Sequence, residues 1–222
     1  MNGFDLSRVM YQLAVGAPVF LLAIVCHEWA HAFMAYKFGD DTSKVHGRLS
    51  FNPAVHIDPI GTVLFPLIGV IFGWTMFGWA KPVPIDPRRF KNYRVGVFWV
   101  AFAGPLMNIL LALLASLIFA IVAVKMPAGG GNKIIFIEML RNAVVINIIL
   151  AVFNLIPFPP LDGSRMVSSF LSYENMRKYE DLQRYSFIFI LLLWFTPILR
   201  YVLHPALALG NWIVFKFQTL FI

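Results

Sequence analysis

The stretch from Val95 to Val124 runs for thirty residues without a single Lys, Arg, Asp or Glu. A helix of about 20 residues already crosses the roughly 30 Å hydrocarbon core of a bilayer, because each residue adds 1.5 Å. This stretch therefore predicts a transmembrane helix. The composition extends the prediction to the whole chain: 59% of the 222 residues are hydrophobic and 13% are charged, whereas about a quarter are charged in soluble domains.

Further apolar blocks predict the other membrane helices. A first helix is expected over about residues 13–36, a third over about 135–155, and one or two more between Ser186 and the C-terminus. Arg8 precedes the first apolar stretch, which contains no small-residue cleavage site, so we expect this stretch in the mature protein. The prediction is an all-α multi-pass membrane protein with four to five spans, in a single integral-membrane domain over residues 1–222.

One apolar segment, at about residues 60–80, is interrupted by proline and glycine and does not resemble a regular span. The loops on either side of it, 37–57 and 81–94, are both rich in Lys and Arg. Because cytoplasmic loops carry an excess of these residues, a full crossing would place one loop on the wrong face. We expect a re-entrant segment that dips into the membrane and returns. An ordinary transmembrane helix containing glycine is the alternative.

The remaining charges orient the chain. The loop 125–133 is rich in glycine and carries few charges, whereas four basic residues follow the third helix, at Arg165, Arg177, Lys178 and Arg184. The first loop is predicted outside and the basic stretch inside, with an external N-terminus and a polar cytoplasmic helix or loop over 173–184. Since the basic residues occupy short loops between apolar blocks, the net charge of +7 does not indicate a nucleic-acid partner.

The first apolar helix contains the sequence His27-Glu28-Trp29-Ala30-His31. A spacing of four residues brings both imidazoles to one face of a helix, where they suit two ligands of one zinc ion. Glu28 is rotated away from that face and is the expected general base. A hydrogen-bonded polar cluster between helices is the alternative, but polar groups are costly in a membrane helix and usually mark a functional site. Cys26, the single cysteine, is expected to be a buried apolar residue.

Catalytic zinc usually takes three protein ligands, so a third must come from another part of the chain. The candidates on the cytoplasmic side are His46, His56, Asp58, Asp86 and Asp162. Asp162 is favoured because three prolines before it end a membrane helix, so that a carboxylate can point inward at membrane depth. Gly163 would permit a sharp turn after it. A plain helix-ending turn is the alternative for this stretch.

Taken together, three motifs resemble the site-2 protease family of intramembrane metalloproteases. They are His27-Glu28-x-x-His31, Ala103-Gly104-Pro105-Leu106-Met107-Asn108, and Asn154-x-x-Pro157-x-x-x-Leu161-Asp162-Gly163. The resemblance covers about residues 14–170, and the segment Phe51–Thr62 is similar to the compact bacterial and archaeal branch. Neither a PDZ nor a CBS domain is recognisable. The chain departs from some relatives because no membrane helix precedes the first motif.

The resemblance implies a three-helix catalytic core with one zinc ion per chain, held by His27, His31 and Asp162. It also implies that Asn154 faces the site as a second catalytic residue beside Glu28, where its amide could steady the substrate backbone or a developing oxyanion. An amide that packs helices together is an equal alternative for Asn154.

Several other polar residues have predicted roles outside the catalytic set. Asn108 is expected to be structural and to satisfy backbone groups freed by Pro105. His56 and Asp58 could supply a ligand or a partner of one, although hydrogen-bonded turn roles are the more common use of such residues. His46 and His204 are expected at helix ends or interfaces.

The expected function is the cleavage of a single-span transmembrane substrate near the cytoplasmic face, in the inner membrane of a prokaryotic cell. The substrate must unwind there, because a helix keeps its carbonyls in its own hydrogen bonds. The segments 51–62 and 60–80 could clamp it by strand pairing. Two other functions use the same ligands: a zinc peptidase acting on free peptides at the membrane surface, and a metal transporter.

Overall fold

The computed structural model describes residues 5–73, 78–125 and 131–221. Over these ranges the fold is all-helical, as predicted. The helices are α1 (Leu6–Phe38), α2 (Thr42–Val45), α3 (Phe65–Ile71), α4 (Tyr93–Lys125), α5 (Gly131–Asn154), α6 (Asp162–Ser168), α7 (Tyr173–Glu180), α8 (Ser186–Phe195) and α9 (Ile198–Thr219). Short 3₁₀ or π turns occupy Pro53–Val55, Pro59–Leu64, Pro87–Arg89 and Asp181–Tyr185.

Within the described ranges, four helical segments are long and apolar enough to cross a membrane: Leu6–Phe38, Tyr93–Lys125, Lys133–Asn154 and Ile198–Thr219. This confirms the lower end of the predicted four to five spans. The region that could have held a fifth contains α8, whose 10 residues give a helix of only about 15 Å. The polar stretch 173–184 forms α7 and a 3₁₀ turn, as one of the two predicted outcomes.

Local sequence fixes the ends of α1. The Asp5 side chain accepts a hydrogen bond from the Arg8 backbone N–H at 3.2 Å and caps the first turn. At the other end Gly39 adopts a left-handed conformation with φ of 107° and donates to the carbonyls of Ala35 and Tyr36. The helix therefore begins well before the predicted residue 13, because a good cap extends it beyond the apolar block.

The helices α1, α4 and α5 pack against one another, and α9 lies outside against α4 and α5. Gly210 permits the close approach of α9, since a Cβ there would lie 2.2 Å from the Cδ1 of Ile148. An apolar cluster joins α1 to α5 and includes Phe20, Ala23 and Ile146. The three mutually packed helices form the framework in which the polar residues of the membrane segments lie.

The interrupted segment at 60–80 returns to where it begins. It starts with the turn Pro59–Leu64, continues as α3, and turns at Gly73, whose φ is 72°. On its return Trp79 N donates to Gly61 O at 3.1 Å, and Lys81 N donates to His56 O at 2.9 Å. Its two ends therefore lie side by side, which a re-entrant segment requires and a crossing helix forbids. Residues 74–77 of this segment lie outside the described ranges.

Candidate metal centre

Three buried or half-buried side chains converge where α1 meets the start of α6. His27 Nε2 and His31 Nε2 are 3.0 Å apart, and each lies 3.2 Å from Asp162 Oδ2. The two histidines are 7% and 6% exposed. Two donors bound at 2.0–2.1 Å to a tetrahedral zinc ion lie about 3.4 Å apart. The three atoms thus form a triangle of nearly the size that one zinc ion requires.

Hydrogen bonds on the far side of each imidazole fix which nitrogen faces the triangle. His27 Nδ1 lies 2.6 Å from Asn108 Oδ1, and His31 Nδ1 lies 2.7 Å from the Val100 carbonyl oxygen. The Asn108 amide nitrogen donates elsewhere, to Ala23 O at 3.2 Å and Asn147 Oδ1 at 2.8 Å, so its oxygen must be the acceptor for His27. Each Nδ1 therefore carries the proton.

In their neutral form both imidazoles then direct the Nε2 lone pair at the Asp162 carboxylate, so that three electron-pair donors converge on one point. A cation among these donors would relieve their mutual repulsion. The ligand set of two imidazoles and one carboxylate, with each imidazole oriented by a second hydrogen bond, is that of a catalytic zinc site. The donor chemistry of this centre fits zinc.

Gly104 on α4 provides the space for this arrangement. A Cβ at Gly104 would lie 2.4 Å from His31 Nε2 and 2.6 Å from His27 Nε2. Any larger residue would fill the place where the two nitrogens converge. The glycine of the Ala103-Gly104-Pro105 motif is therefore needed by the ligands themselves, in addition to letting helices approach.

Asp162 reaches the histidines because α5 ends at Asn154 and the chain turns back through residues 155–161. Two side chains from later elements hold this turn: Tyr179 Oη donates to Pro157 O at 2.6 Å, and Ser186 Oγ donates to Pro159 O at 3.0 Å. Gly163 was predicted to permit a sharp turn after Asp162, whereas it lies inside α6 and its φ is not positive. Its role is close packing, because a Cβ there would lie 2.3 Å from Leu155 O.

Glu28 lies beside the triangle and is held by an extended segment that we call the strap, residues 79–86. Its Oε2 accepts a hydrogen bond from Val83 N at 2.8 Å. Val83 stands between Pro82 and Pro84, so its N–H is the one backbone donor at three successive positions of the strap. This contact was not predicted, although the Pro-Val-Pro sequence is a local signal for extended backbone.

Buried side chains from residues 40–48 hold the strap in turn. Arg48 Nη2 donates to Lys81 O at 2.5 Å and to Pro82 O at 3.3 Å. Ser43 Oγ donates to Pro84 O at 2.5 Å, and Asp40 Oδ2 accepts from Asp86 N at 2.7 Å. These three side chains are at most 8% exposed. The general-base candidate is therefore positioned through a chain of contacts that involves none of the three metal-ligand candidates.

Two cavities meet at this centre. One, of about 190 Å³, is lined by the three metal-ligand candidates and also by Arg165 and Pro87. The other, of about 340 Å³, is lined mainly by apolar side chains, among them Ile24, Trp79, Leu150, Phe153 and Ile190. Both cavities are lined by His27, Glu28, Pro82, Asn154 and Pro160. An extended peptide could thus pass the metal centre from one cavity into the other.

Asn154 faces this junction, since it lines both cavities. Its Nδ2 donates to Leu150 O, one turn earlier on α5, at 2.9 Å. That bond uses one of the two amide protons and leaves a second proton and the amide oxygen for a bound molecule. The position suits the predicted contact with substrate, and the bond to Leu150 also agrees with a helix-packing amide, so its catalytic role stays a prediction.

The other polar candidates lie in hydrogen-bonded turns. His56 is fully buried and its Nε2 contacts Ser50 O at 2.8 Å, while Asp58 Oδ1 accepts from the backbone of Ile60 and Gly61. His46 contacts Thr42 O at the end of α2. Asp86 caps a 3₁₀ turn and pairs with Arg88, whose hydrogen bond lowers the pKa of the Asp86 carboxyl. Among the described residues, the cluster able to hold a metal contains none of them.

Sequence reasoning missed or misassigned three contributions to the centre. Asn108 was expected to satisfy backbone freed by Pro105, but it orients His27 and links α1 to α5. Val83 and Arg165 were not predicted to approach the metal centre. A signal existed for Arg165 alone, since its position three residues after Asp162 places both on one face of a helix.

Comparisons with known proteins agree with this chemistry. Residues 120–195 match peptidase family M50. The chain is 36% identical over 203 residues to "Putative zinc metalloprotease YwhC" of Bacillus subtilis, a match covering 90% of both proteins. It is 28% identical over 183 residues to "Putative zinc metalloprotease Rip2" of Mycolicibacterium smegmatis, covering 81% of this chain and 66% of that protein. It is 29% identical over 165 residues to "Putative zinc metalloprotease Rip3" of Mycobacterium tuberculosis, covering 73% of this chain and 33% of that protein. No solved structure matches the chain.

Proposed function

The chain belongs to peptidase family M50, the site-2 proteases, and from this we propose that it cleaves single-span transmembrane substrates near the cytoplasmic face of the membrane. It is a zinc metalloprotease and an integral membrane protein. The finer parts of the proposal are the residues that act, the substrate and the side of the membrane. The observation that carries the assignment of the acting residues is the convergence of His27, His31 and Asp162 beside Glu28, at the junction of two cavities.

In this proposal His27, His31 and Asp162 hold one zinc ion per chain. When bound, zinc supplies a Lewis acid that lowers the pKa of water and polarises a peptide carbonyl. Glu28 accepts the proton of the attacking water and passes it to the leaving amine. The hydrogen bond from Val83 N keeps one carboxylate oxygen in place, which leaves the other free to carry the proton. Asn154 offers its remaining amide proton to the carbonyl oxygen of the substrate.

The shape of the junction supports an extended substrate. A transmembrane helix is about 10 Å wide with its side chains and keeps its carbonyls in internal hydrogen bonds. The strap on one side and Pro160 on the other leave cavities of about 190 and 340 Å³, which suit one unwound chain better than a helix. The substrate is therefore expected to unwind locally before cleavage. Strand pairing with the segments 51–62 and 60–80 remains part of the proposal.

The cytoplasmic location rests on the charge distribution. The basic loops 37–57 and 81–94 both lie at the end of α1 that carries the histidines, since Lys91 N donates to Phe38 O at 3.1 Å. Because basic loops stay on the cytoplasmic side, the metal centre belongs in the cytoplasmic half of the bilayer. The named relatives come from bacteria, which supports the inner membrane of a prokaryotic cell as the location.

The decisive experiment uses Glu28→Gln in the full chain, reconstituted in lipid vesicles with a single-span substrate. We expect zinc content near one per chain, as in the unchanged protein, and a cleavage rate lower by about 10³-fold or more, since the amide cannot accept the proton. The matched control is Gln12→Glu on the same helix, far from the metal centre. A Glu28→Gln protein that cleaves normally would exclude this mechanism. Comparison with the same segment as a soluble peptide distinguishes a surface peptidase.

A further inference from the structure

The smaller cavity beside the metal centre contains a cation that no protein group neutralises. Arg165 lies three residues after Asp162 on α6, so both side chains project from one face of that helix, and both line the cavity. In the described part of the chain the Arg165 guanidinium has no side-chain hydrogen bond or ion pair. Neighbouring arginines of the cytoplasmic loops are engaged: Arg88 with Asp86, Arg89 with Asp41, and Arg94 with the Leu171 carbonyl.

Arg165 is exposed to solvent, but the charges of the cavity that it lines distinguish it from other surface arginines. Two carboxylates line the same cavity, and Arg165 pairs with neither of them: Asp162 directs Oδ2 at the histidines, and Glu28 accepts from Val83 N. With zinc in place, these two carboxylates balance the two charges of the metal. Arg165 then remains as one uncompensated positive charge at the wall of the site.

We propose that Arg165 is a specificity residue that binds an acidic side chain of the substrate within about two residues of the scissile bond. This inference rests on the proposed function. A guanidinium binds a carboxylate through two parallel hydrogen bonds, and the exposed Arg165 at the cavity wall has its donors open to such a partner. The acidic residue lies on the side of the scissile bond that enters the smaller cavity.

The larger cavity predicts which substrate residues lie on the other side of the scissile bond. Its wall is formed largely by Ile24, Trp79, Leu150, Phe153 and Ile190, and among the described lining residues the one charged side chain is that of Glu28 at the junction. This wall accepts apolar residues that come from the membrane. The scissile bond therefore lies at a boundary in the substrate, with apolar residues on one side and an acidic residue on the other.

The test uses single-span substrates that are identical except at one position, which carries Asp, Asn or Lys. The position is scanned over three residues on each side of the scissile bond, in vesicles of neutral phospholipid. For the unchanged protease we expect one position at which Asp raises kcat/KM by about tenfold over Asn, while Lys lowers it. Arg165→Glu should reverse this order so that Lys is preferred. Arg165→Gln should make Asp and Asn substrates equal.

The matched control is Arg177→Glu, on an exposed arginine of α7 outside the cavity, which should leave the Asp preference unchanged. Zinc content is measured for every variant. An equal rate for Asp, Asn and Lys substrates at all positions would overturn the inference while leaving the protease function intact. A preference that persists in Arg165→Gln would also overturn it, as would equal loss of all three substrates in that variant. Absence of cleavage of any substrate by the unchanged protein would instead contradict the proposed function.

Discussion

The metal-ligand triangle and the strap lie side by side but are held by different means. His27 and His31 are oriented by groups on α4, Asn108 and the Val100 carbonyl, within packed membrane helices. The strap is extended backbone held by buried side chains of residues 40–48, outside the membrane helices. In the proposed mechanism one region would bind the metal, and the other would position the base. We therefore expect mutations to separate zinc binding from catalysis according to the region they alter.

The largest effect is expected from Gly104→Ala. The new methyl group would lie 2.4 Å from His31 Nε2 and 2.6 Å from His27 Nε2, in the space that the ligands share. Zinc content, measured by mass spectrometry of the purified protein, should fall to near zero together with cleavage. The control is Gly210→Ala, which crowds Ile148 in the packing of α9 and should retain zinc. Full zinc content in Gly104→Ala would contradict the ligand assignment.

Asn154 lies between the two regions. Replacing it distinguishes its two predicted roles, which are contact with the reacting carbonyl and helix packing. If its amide contacts the reacting carbonyl, Asn154→Ala should lower kcat by about 10²-fold with zinc content unchanged. If it only packs against the Leu150 carbonyl, the decrease should stay below about threefold. Measuring kcat and KM separately decides the matter, because a transition-state contact lowers kcat.

Asn108 on α4 belongs to the region that orients the histidines, so its replacement should affect zinc binding. Replacing it with Leu removes the acceptor for His27 Nδ1 and should weaken zinc binding by about 10- to 100-fold, the usual effect of losing such a partner. Asn147→Ala is the matched variant, since it removes only the acceptor for the Asn108 amide and leaves His27 its partner. Competition with a chelator of known affinity measures both. Equal losses in the two variants would mean that Asn108 acts through helix packing alone.

Variants that loosen the strap should lower cleavage without weakening zinc binding. Arg48→Met removes the hydrogen bonds that Arg48 donates to the Lys81 and Pro82 carbonyls, each worth about 0.5–1.5 kcal/mol, and loosens the hold on Glu28. We expect unchanged zinc affinity and cleavage reduced by about tenfold. Lys44→Met, on an exposed neighbour, serves as the control. A loss of zinc in Arg48→Met would mean that the two regions are not independent.

The smallest effect is expected from Ser43→Ala. It removes one hydrogen bond to the Pro84 carbonyl and leaves the Arg48 and Asp40 contacts of the strap in place. Cleavage should fall by about threefold or less, with normal zinc content. If the Ser43 and Arg48 variants are combined, their effects should exceed the sum of the two, because both hold the same segment. Simple additivity would show that they act on different parts of the site.

The membrane class of the protein and the two metal-ligand candidates on α1 were predictable from the amino-acid sequence. Both depend on local patterns: a run of apolar residues sets a span, and a spacing of four residues sets two side chains on one face. The sequence also singled out Asp162, through the three prolines that mark the break after α5 together with the resemblance of its motif to the site-2 protease family. Helix ends were less well predicted, since the Asp5 cap extends α1 to Leu6.

Only the tertiary structure decided what surrounds these ligands. Asn108 and Val100 reach the histidines across separations of 81 and 69 residues, and Val83 reaches Glu28 across 55. No local pattern encodes such pairs, because they depend on how α1, α4 and the strap pack together. The same holds for Gly104, whose missing side chain makes room for ligands that lie far away in the sequence. The ligands can thus be read from sequence periodicity, whereas their orientation and the position of the base follow from packing.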